Sequence, residues 1–228
     1  MQEANLVALP VLDTEDRLVG VLTVDDAMEI IEEEETEDAA RAGGAEPISV
    51  PYLDAGVFLL ARARGTWLLL LIVAAALTVN VLQAFESTLE QVVTLAVFIP
   101  LLIGTGGNSG AQAATSVVRA MALGEVRIKD LPRILRRELM VGFLLGLILG
   151  AIAYPIVGLV FGWTFAAVVS LTLLALCSWA SFAGGLLPVL ARQAGIDPAV
   201  VSAPLITTLV DASGLIIYFL IARVLLGL

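Results

Sequence analysis

The chain of 228 residues contains no histidine and a single cysteine, Cys177, and only 15% of its residues are charged. Without histidine, catalysis by Ser-His-Asp or Cys-His groups, histidine-ligated zinc and histidine proton relays are excluded. One cysteine cannot form an intrachain disulfide, so the cysteine content says nothing about the redox compartment. The first 30 residues lack the basic start and the uninterrupted apolar stretch of a secretory signal peptide.

What the sequence does contain is the composition of a membrane protein. Hydrophobic residues make up 59% of the chain, and the mean hydropathy is +0.99, whereas a soluble domain is about 45–50% apolar and about 25% charged. Residues 1–65 hold 15 acidic and 4 basic side chains, while residues 66–228 hold 7 and 8. A small acidic segment therefore precedes an apolar one, which argues against nucleic acid as a partner and suits a cation.

The acidic segment begins, over residues 4–31, with a short α/β pattern. Leu6–Leu12 and Leu18–Val24 are predicted strands, and Asp25 is a predicted N-cap for a helix over Asp26–Glu35. These elements are too few to bury a core, so we expect the chain to begin inside a larger domain. The acidic run over residues 32–38 is either a solvated linker or part of a cytosolic cation sensor.

The sequence divides into three segments. Residues 1–46 are the α/β remnant with its acidic linker, and residues 47–65 are a connecting segment that contains a predicted amphipathic helix over about Pro51–Arg64. Residues 66–228 contain five apolar stretches of roughly the 20 residues that cross a hydrocarbon core as a helix. The predicted fold is an all-α membrane protein with five spans per subunit. The stretches are Trp67–Phe85, Val92–Val118, Met140–Phe161, Thr164–Leu190 and Ala199–Leu226, with a very tight turn predicted over residues 161–163.

The loops predict the orientation of these spans. The connection between the second and third stretches is rich in basic residues, whereas the connection between the first and second has Glu86 and Glu90 and no Lys or Arg. By the positive-inside rule, the former is cytoplasmic. We therefore expect a cytoplasmic amino terminus, an extracytoplasmic carboxyl terminus and location in the inner (plasma) membrane. The basic residues are Arg119, Arg127, Lys129, Arg133, Arg136 and Arg137.

Asp211 is the one acidic residue deep in an apolar stretch. An ionised Asp at the centre of a membrane helix costs roughly 2.5–3.5 kcal/mol, so it is a candidate functional residue. The alternative is a carboxyl group neutralised by a bond to a neighbouring helix. Ala203, Thr207 and Asp211 recur every four residues and share one helix face, which would form the wall of a pore.

The second stretch contains the segment Pro100–Gln112, which has four glycines and several small polar residues. Such a segment is a poor lipid-facing helix, because open or irregular backbone at membrane depth must be buried or line water. It is a glycine-rich packing seam, a pore wall, or both. As a pore wall it would offer backbone carbonyls, those of Gly104 and Gly107 among them, and the side-chain amides of Asn108 and Gln112.

These groups are all oxygen ligands, which suit hard cations such as Mg²⁺ and Ca²⁺. One Asp per chain cannot balance a divalent ion, but a twofold dimer would bring two carboxylates to one axis. Because Mg²⁺ dehydrates reluctantly, we expect Asp211 to contact the ion through water. The same oxygens leave Mn²⁺, Co²⁺ and Ca²⁺ open as alternatives.

Several long strings resemble the MgtE family of magnesium channels. They are Pro100–Gln112, Arg119–Glu125, Asp197–Pro198 and Pro204–Ile216. The resemblance covers essentially the whole chain, and residues 18–26 resemble the end of a CBS domain. The amino-terminal acidic domain of the family, its first CBS domain and most of its second are not represented in the sequence.

The resemblance implies a homodimeric, non-enzymatic Mg²⁺-selective channel for voltage-driven uptake. Its pore lies at the dimer axis between the second and fifth helices. Asp211 matches the carboxylate that holds hydrated Mg²⁺, and residues 104–110 match the glycine-rich pore segment. Some relatives have Asn in place of Ala203, so one pore oxygen is missing here. Residues 51–64 match a plug helix, through which CBS domains that sense cytosolic Mg²⁺ close the pore in the full-length protein.

The alternatives to a channel are a coupled transporter, a membrane enzyme and a membrane anchor. A proton- or sodium-coupled divalent cation transporter would use Asp211 as its coupling carboxylate. A membrane enzyme is disfavoured, because intramembrane aspartyl proteolysis needs two deep Asp residues and serine-type proteolysis usually needs a histidine. A membrane anchor for a CBS domain needs one or two spans rather than five with a polar face.

Overall fold

The computed structural model of the chain describes residues 6–228. Its amino-terminal part is an antiparallel pair of strands, β1 (Ala8–Leu12) and β2 (Leu18–Thr23), followed by helix α1 (Val24–Ala42). The two strands and the helix confirm the predicted α/β pattern; residues 4 and 5 of that pattern, like the first five residues of the segment 1–46, lie outside the described residues.

Helix α1 differs from its prediction at both ends. Its N-cap is Thr23 rather than Asp25, because the Thr23 hydroxyl accepts a hydrogen bond from the Asp26 amide while the Asp26 carboxylate accepts one from the Thr23 amide. The helix continues through the acidic run to Ala42. That run is therefore helical, which agrees with the good helix propensity of Glu and with the Glu37–Arg41 ion pair one turn apart.

The predicted connecting helix over Pro51–Arg64 is not a separate element. Residues 51–55 form turns, and helix α2 (Val57–Ala84) begins after Gly56 and continues without interruption into the first apolar stretch. Gly65 lies inside α2 and does not break it, since one glycine costs a helix only about 1 kcal/mol. The boundary between residues 65 and 66 therefore falls within one continuous helix.

The remaining helices form a bundle. They are α3 (Glu86–Gln91), α4 (Leu95–Ala122), α5 (Leu131–Phe161), α6 (Trp163–Gln193) and α7 (Ala203–Leu226). Helix α6 is central, because it packs against α4, α5 and α7 and has the longest buried face. The core lies between α4, α6 and α7, where Leu102, Leu176 and Ile206 are almost completely buried. The Tyr218 hydroxyl donates to the Leu95 carbonyl at 2.8 Å.

Helices α5 and α6 form the tightest pair in the bundle. A Cβ atom at Gly142 would clash with the Cys177 carbonyl oxygen, and one at Gly146 would lie 2.6 Å from the Leu174 Cα atom. Small residues allow such backbone approach between membrane helices. The turn between the two helices is Gly162 alone, with φ +99°, which confirms the tight turn predicted there.

The end of α1 packs on the bundle. Arg41 pairs with Asp197 in the turn between α6 and α7, and Gly44 lies against the ring of Pro204 at the start of α7. Asp197 also caps the 3₁₀ turn Pro198–Val200, and α7 begins at Ala203 rather than at Ala199 as predicted. The acidic helix is thus linked to the first turn of the helix that contains Asp211.

Among residues 6–228, four segments are long and apolar enough to cross a membrane by length and composition: α2, residues 128–161, α6 and α7. Helix α4 has 28 residues but is not in this set. Its glycines and polar side chains between Gly104 and Gln112 lower its mean hydropathy. The five helices thus match the positions of the five predicted spans, with composition alone supporting four of them as membrane-spanning.

Candidate cation site

Helices α4 and α7 approach each other closely at Gly107 and Gly110. A Cβ atom on Gly107 would lie 2.9 Å from Thr207 Cγ2 and 3.4 Å from Asp211 Oδ1. One turn further along α4, a Cβ atom on Gly110 would lie 2.9 Å from Ile206 Cγ2. Glycines in α4 therefore allow α7 to place its carboxylate against the backbone of α4. Gly107, Thr207 and Asp211, three of the predicted site residues, are brought together here.

The Asp211 side chain is half-buried and has no hydrogen-bond or ion-pair partner among residues 6–228. Within the described residues, no neighbouring helix gives Asp211 a hydrogen bond or an ion pair, and its role as an ion ligand stays a prediction. The part of the chain that the structure describes also contains no group of three or more acidic, cysteine or histidine side chains that could hold a metal ion. Within one subunit, Asp211 is the sole carboxylate at this position.

The hydroxyl group of Thr207 donates its proton to a backbone carbonyl of its own helix, so its oxygen can only accept further hydrogen bonds. Its hydroxyl donates to the Pro204 carbonyl at 2.8 Å and approaches the Ala203 carbonyl at 3.2 Å. The free lone pairs of Thr207 and the carboxylate of Asp211 are then acceptors. Because the water molecules around a cation direct their hydrogens outward, a wall of acceptors suits a hydrated cation. Ala203, on the same face, has no side-chain oxygen to offer.

Gly104 and Asn108 lie one turn apart on α4, and both are exposed. A Cβ atom on Gly104 would meet nothing within 4 Å. Among the described residues, neither Gly104 nor Asn108 forms a hydrogen bond with Asp211. Their exposure places them on an open face of α4, next to the Gly107 contact. Their role as ligands stays a prediction.

Glu86 and Glu90 lie four residues apart at the two ends of α3, and both are exposed. The sequence predicted a loop here, whereas the structure has a short helix that presents the two carboxylates on one side. Sequence reasoning missed the Arg41–Asp197 pair altogether. The Asp197–Pro198 string is one of those that resemble the family, but no residue near Asp197 in the sequence indicates that Arg41 on α1 is the partner of its carboxylate.

The long apolar helices indicate a helical membrane protein. The half-buried Asp211 carboxylate at the contact of α4 and α7 is its candidate cation site. The comparison with known proteins agrees: residues 99–221 match the family model for MgtE, described as a divalent cation transporter. This chain belongs to the MgtE family. The matched range includes α5, α6 and every candidate site residue on α4 and α7.

Three relatives extend the similarity to nearly the whole chain, and each is named a magnesium transporter MgtE. The protein from Thermus thermophilus is 42% identical over 230 residues, which cover 99% of this chain and 50% of that protein. The proteins from Enterococcus faecalis and Bacillus subtilis are 32% and 31% identical, over 97% of this chain and 49% of each protein. The chain thus spans about half the length of these relatives.

Proposed function

We propose that two copies of this chain form a channel for passive, voltage-driven uptake of hydrated Mg²⁺ across the inner membrane. The observation that carries the proposal is the Asp211 carboxylate, which is half-buried, lies against Gly107 and has no partner among the described residues. An unpaired charge is costly at membrane depth. A second copy would bring the site to two negative charges, which balance one divalent cation.

The proposed pore is lined by α4 and α7. In this proposal α4 also crosses the membrane, in addition to the four segments whose composition already supports a membrane span. The glycines and polar side chains of α4 lower its mean hydropathy, which fits a helix whose glycine-rich face borders water rather than lipid. Asp211 and Thr207 offer acceptors to ion-bound water, so Mg²⁺ keeps its shell and binds weakly enough to leave again. A potential that is negative inside favours entry by about 2.3 kcal/mol per charge per 100 mV.

In the proposed orientation, the amino terminus is cytoplasmic and the carboxyl terminus extracytoplasmic. The carboxylates of Glu86 and Glu90 would then face the outside and raise the local cation concentration. In the full-length protein, cytosolic Mg²⁺ would gate the pore through the amino-terminal region. Such gating is supported by the packing of α1 on the bundle: Arg41 pairs with Asp197 in the turn that precedes α7, and Gly44 lies against Pro204 in the first turn of α7.

The experiment is Mg²⁺ flux into proteoliposomes with an imposed voltage and no proton or sodium gradient. We expect voltage-driven flux in the wild type and its loss in Asp211→Ala, because α2, α4, α6 and α7 contain no other Asp or Glu. Asp211→Asn separates charge from hydrogen bonding, since retained flux there would favour simple hydrogen bonding to ion-bound water. Wild-type flux in Asp211→Ala would remove Asp211 from the mechanism.

A matched pair of threonines controls for general damage to α7. Thr207 and Thr208 both donate to the Pro204 carbonyl, but Thr207 faces Gly107 and Asp211. Thr207→Val should lower the flux and Thr208→Val should leave it unchanged. The alternative is a proton- or sodium-coupled transporter with Asp211 as the coupling group. Flux that appears only when one of these gradients is added would favour that alternative.

A further inference from the structure

One end of the bundle concentrates positive charge. The chain has a net charge of −10, yet half of its 12 Lys and Arg residues lie between residues 119 and 137. All six residues are exposed, and they occupy the last turn of α4, the connection to α5 and the first two turns of α5. We call this surface the basic end; its cations are Arg119, Arg127, Lys129, Arg133, Arg136 and Arg137.

Nearby acids leave most of this charge uncompensated. Asp130 accepts from the Arg127 amide at 3.1 Å and pairs with Arg133 at 3.1 Å. Glu138 is directed at α6, since its Cγ would lie 2.9 Å from a Cβ atom on Gly185. Among residues 6–228, Arg133 is the one cation of the basic end with a carboxylate within 4.0 Å. The other five cations are available to an external anion.

An apolar stripe continues directly from the basic end along α5. Arg133 and Arg137 are four residues apart, and Met140 and Leu144 extend the same helix face toward the middle of the bundle. Met140 is 61% exposed and Leu144 is 56% exposed. No element of the described chain covers this stripe, so it borders the hydrocarbon if α5 spans the membrane.

Apolar side chains also lie among the cations of the connection. Leu123 is 63% exposed, and Ile128, between Arg127 and Lys129, is 39% exposed. Exposed apolar residues interleaved with Arg and Lys are typical of segments that lie at the boundary between headgroups and acyl chains. The basic end thus combines charge and apolar surface in the order that a phospholipid presents them.

We propose that the basic end binds anionic phospholipids, with the headgroup phosphate at Arg136 and Arg137 and an acyl chain along the α5 stripe. Guanidinium groups bind phosphate oxygens in pairs, which favours Arg over a diffuse positive field. A zwitterionic lipid has the same phosphate but also an amine that opposes the field. The surface should therefore prefer lipids with net negative charge. This proposal does not depend on which ion the protein transports.

The test is native mass spectrometry of the detergent-solubilised protein after titration with phosphatidylglycerol or with phosphatidylcholine of the same acyl chains. We expect tighter retention of phosphatidylglycerol by the wild type. In Arg136→Gln/Arg137→Gln the apparent affinity should fall by about fivefold for each arginine removed. Binding by the wild type should also weaken as ionic strength rises, because salt screens exposed charges.

The matched control is Arg62→Gln/Arg64→Gln, which removes two exposed arginines from α2. This double variant should keep the preference for phosphatidylglycerol. Equal retention of both lipids by the wild type, or an equal loss in the control, would overturn the proposal. Arg136→Lys/Arg137→Lys keeps the charge but not the paired guanidinium bonds, so its binding should lie between that of the wild type and that of the Gln pair, and it provides a second variant if the Gln pair does not fold. Complete loss in the Lys pair would also contradict the proposal.

Discussion

Gly107 is the residue at which the packing of the bundle and the candidate cation site coincide. Its missing side chain lets Thr207 and Asp211 approach the backbone of α4, as the 2.9 Å and 3.4 Å distances from a built Cβ atom show. Gly104, one turn earlier, has open space where its side chain would be. The two glycines therefore differ in role although they belong to the same sequence segment.

Gly107→Ala should lower the free energy of unfolding by about 1–3 kcal/mol, because the methyl group overpacks the contact with Thr207. It should also displace the Asp211 carboxylate and reduce Mg²⁺ flux. Gly104→Ala is the matched control: it should be neutral or stabilising by about 0.5–1 kcal/mol, since alanine favours a helix. Thermal unfolding of both variants in detergent measures the difference. Equal destabilisation by the two variants would contradict the assigned contact.

The sequence identified Asp211 because a charged group at that depth has a known cost. It grouped Thr207 and Ala203 with Asp211 by helical periodicity, and α7 is helical throughout that range. It could not predict that Gly107, rather than Gly104 or Gly106, faces Asp211. That choice depends on the rotation of α4 against α7, which is set by long-range packing on α6.

At the level of helices, local signals predicted where elements exist better than where they end. The single-residue turn at Gly162 was predictable, since an apolar pattern is interrupted there by Gly and resumes at Trp163. The end of α1 and the start of α2 were not. The acidic run has both high charge and high helix propensity, and its docking on the α6–α7 turn, which no local pattern encodes, favours the helical state.

Docking of α1 places Asp38 in an unfavourable electrostatic environment. Partial burial, followed by the nearby carboxylates of Asp197 and Glu37, raises the pKa of Asp38, and Arg41 only partly opposes this. Because the pKa is higher in the docked state, docking costs free energy while Asp38 is ionised. That cost is relieved as pH falls through the raised pKa toward the ordinary value of aspartate, about 4.

We therefore expect α1 to dock more firmly at weakly acidic pH than at neutral pH. Asp38→Asn should remove this dependence and favour docking at neutral pH. The separation of two labels, one on α1 and one on the α6–α7 turn, reports the change; Cys177 is buried and should not be labelled. Glu34→Gln, on an exposed part of α1, is the control and should keep the wild-type pH response.

At the scale of the whole molecule, one copy supplies a single carboxylate to the candidate site. A single Asp211 gives at most one negative charge, and α2, α4, α6 and α7 contain no other Asp or Glu. The proposal of a twofold pore therefore makes the function depend on both subunits at once. Because the termini are predicted on opposite sides of the membrane, mixed dimers are best made by co-expression with two affinity tags rather than by fusion.

Dimers with one wild-type subunit and one Asp211→Ala subunit should lose Mg²⁺ flux by about tenfold or more, because one carboxylate leaves a divalent ion uncompensated in a medium of low dielectric constant. Flux into proteoliposomes measures this, with doubly wild-type dimers purified through the same two tags as the control. Half of the wild-type flux would indicate that each copy conducts by itself, which would contradict a shared pore.

The position of α2 has a consequence for how the protein is made. Helix α2 packs chiefly against α7, and the most apolar part of α2 is otherwise unburied in the described chain. The ribosome synthesises α2 before α7, so α2 has no α7 to pack against until residues 203–226 have been made. The contact between α2 and α7 joins the first and the fifth of the predicted spans, so it forms only after the three spans between them have been made.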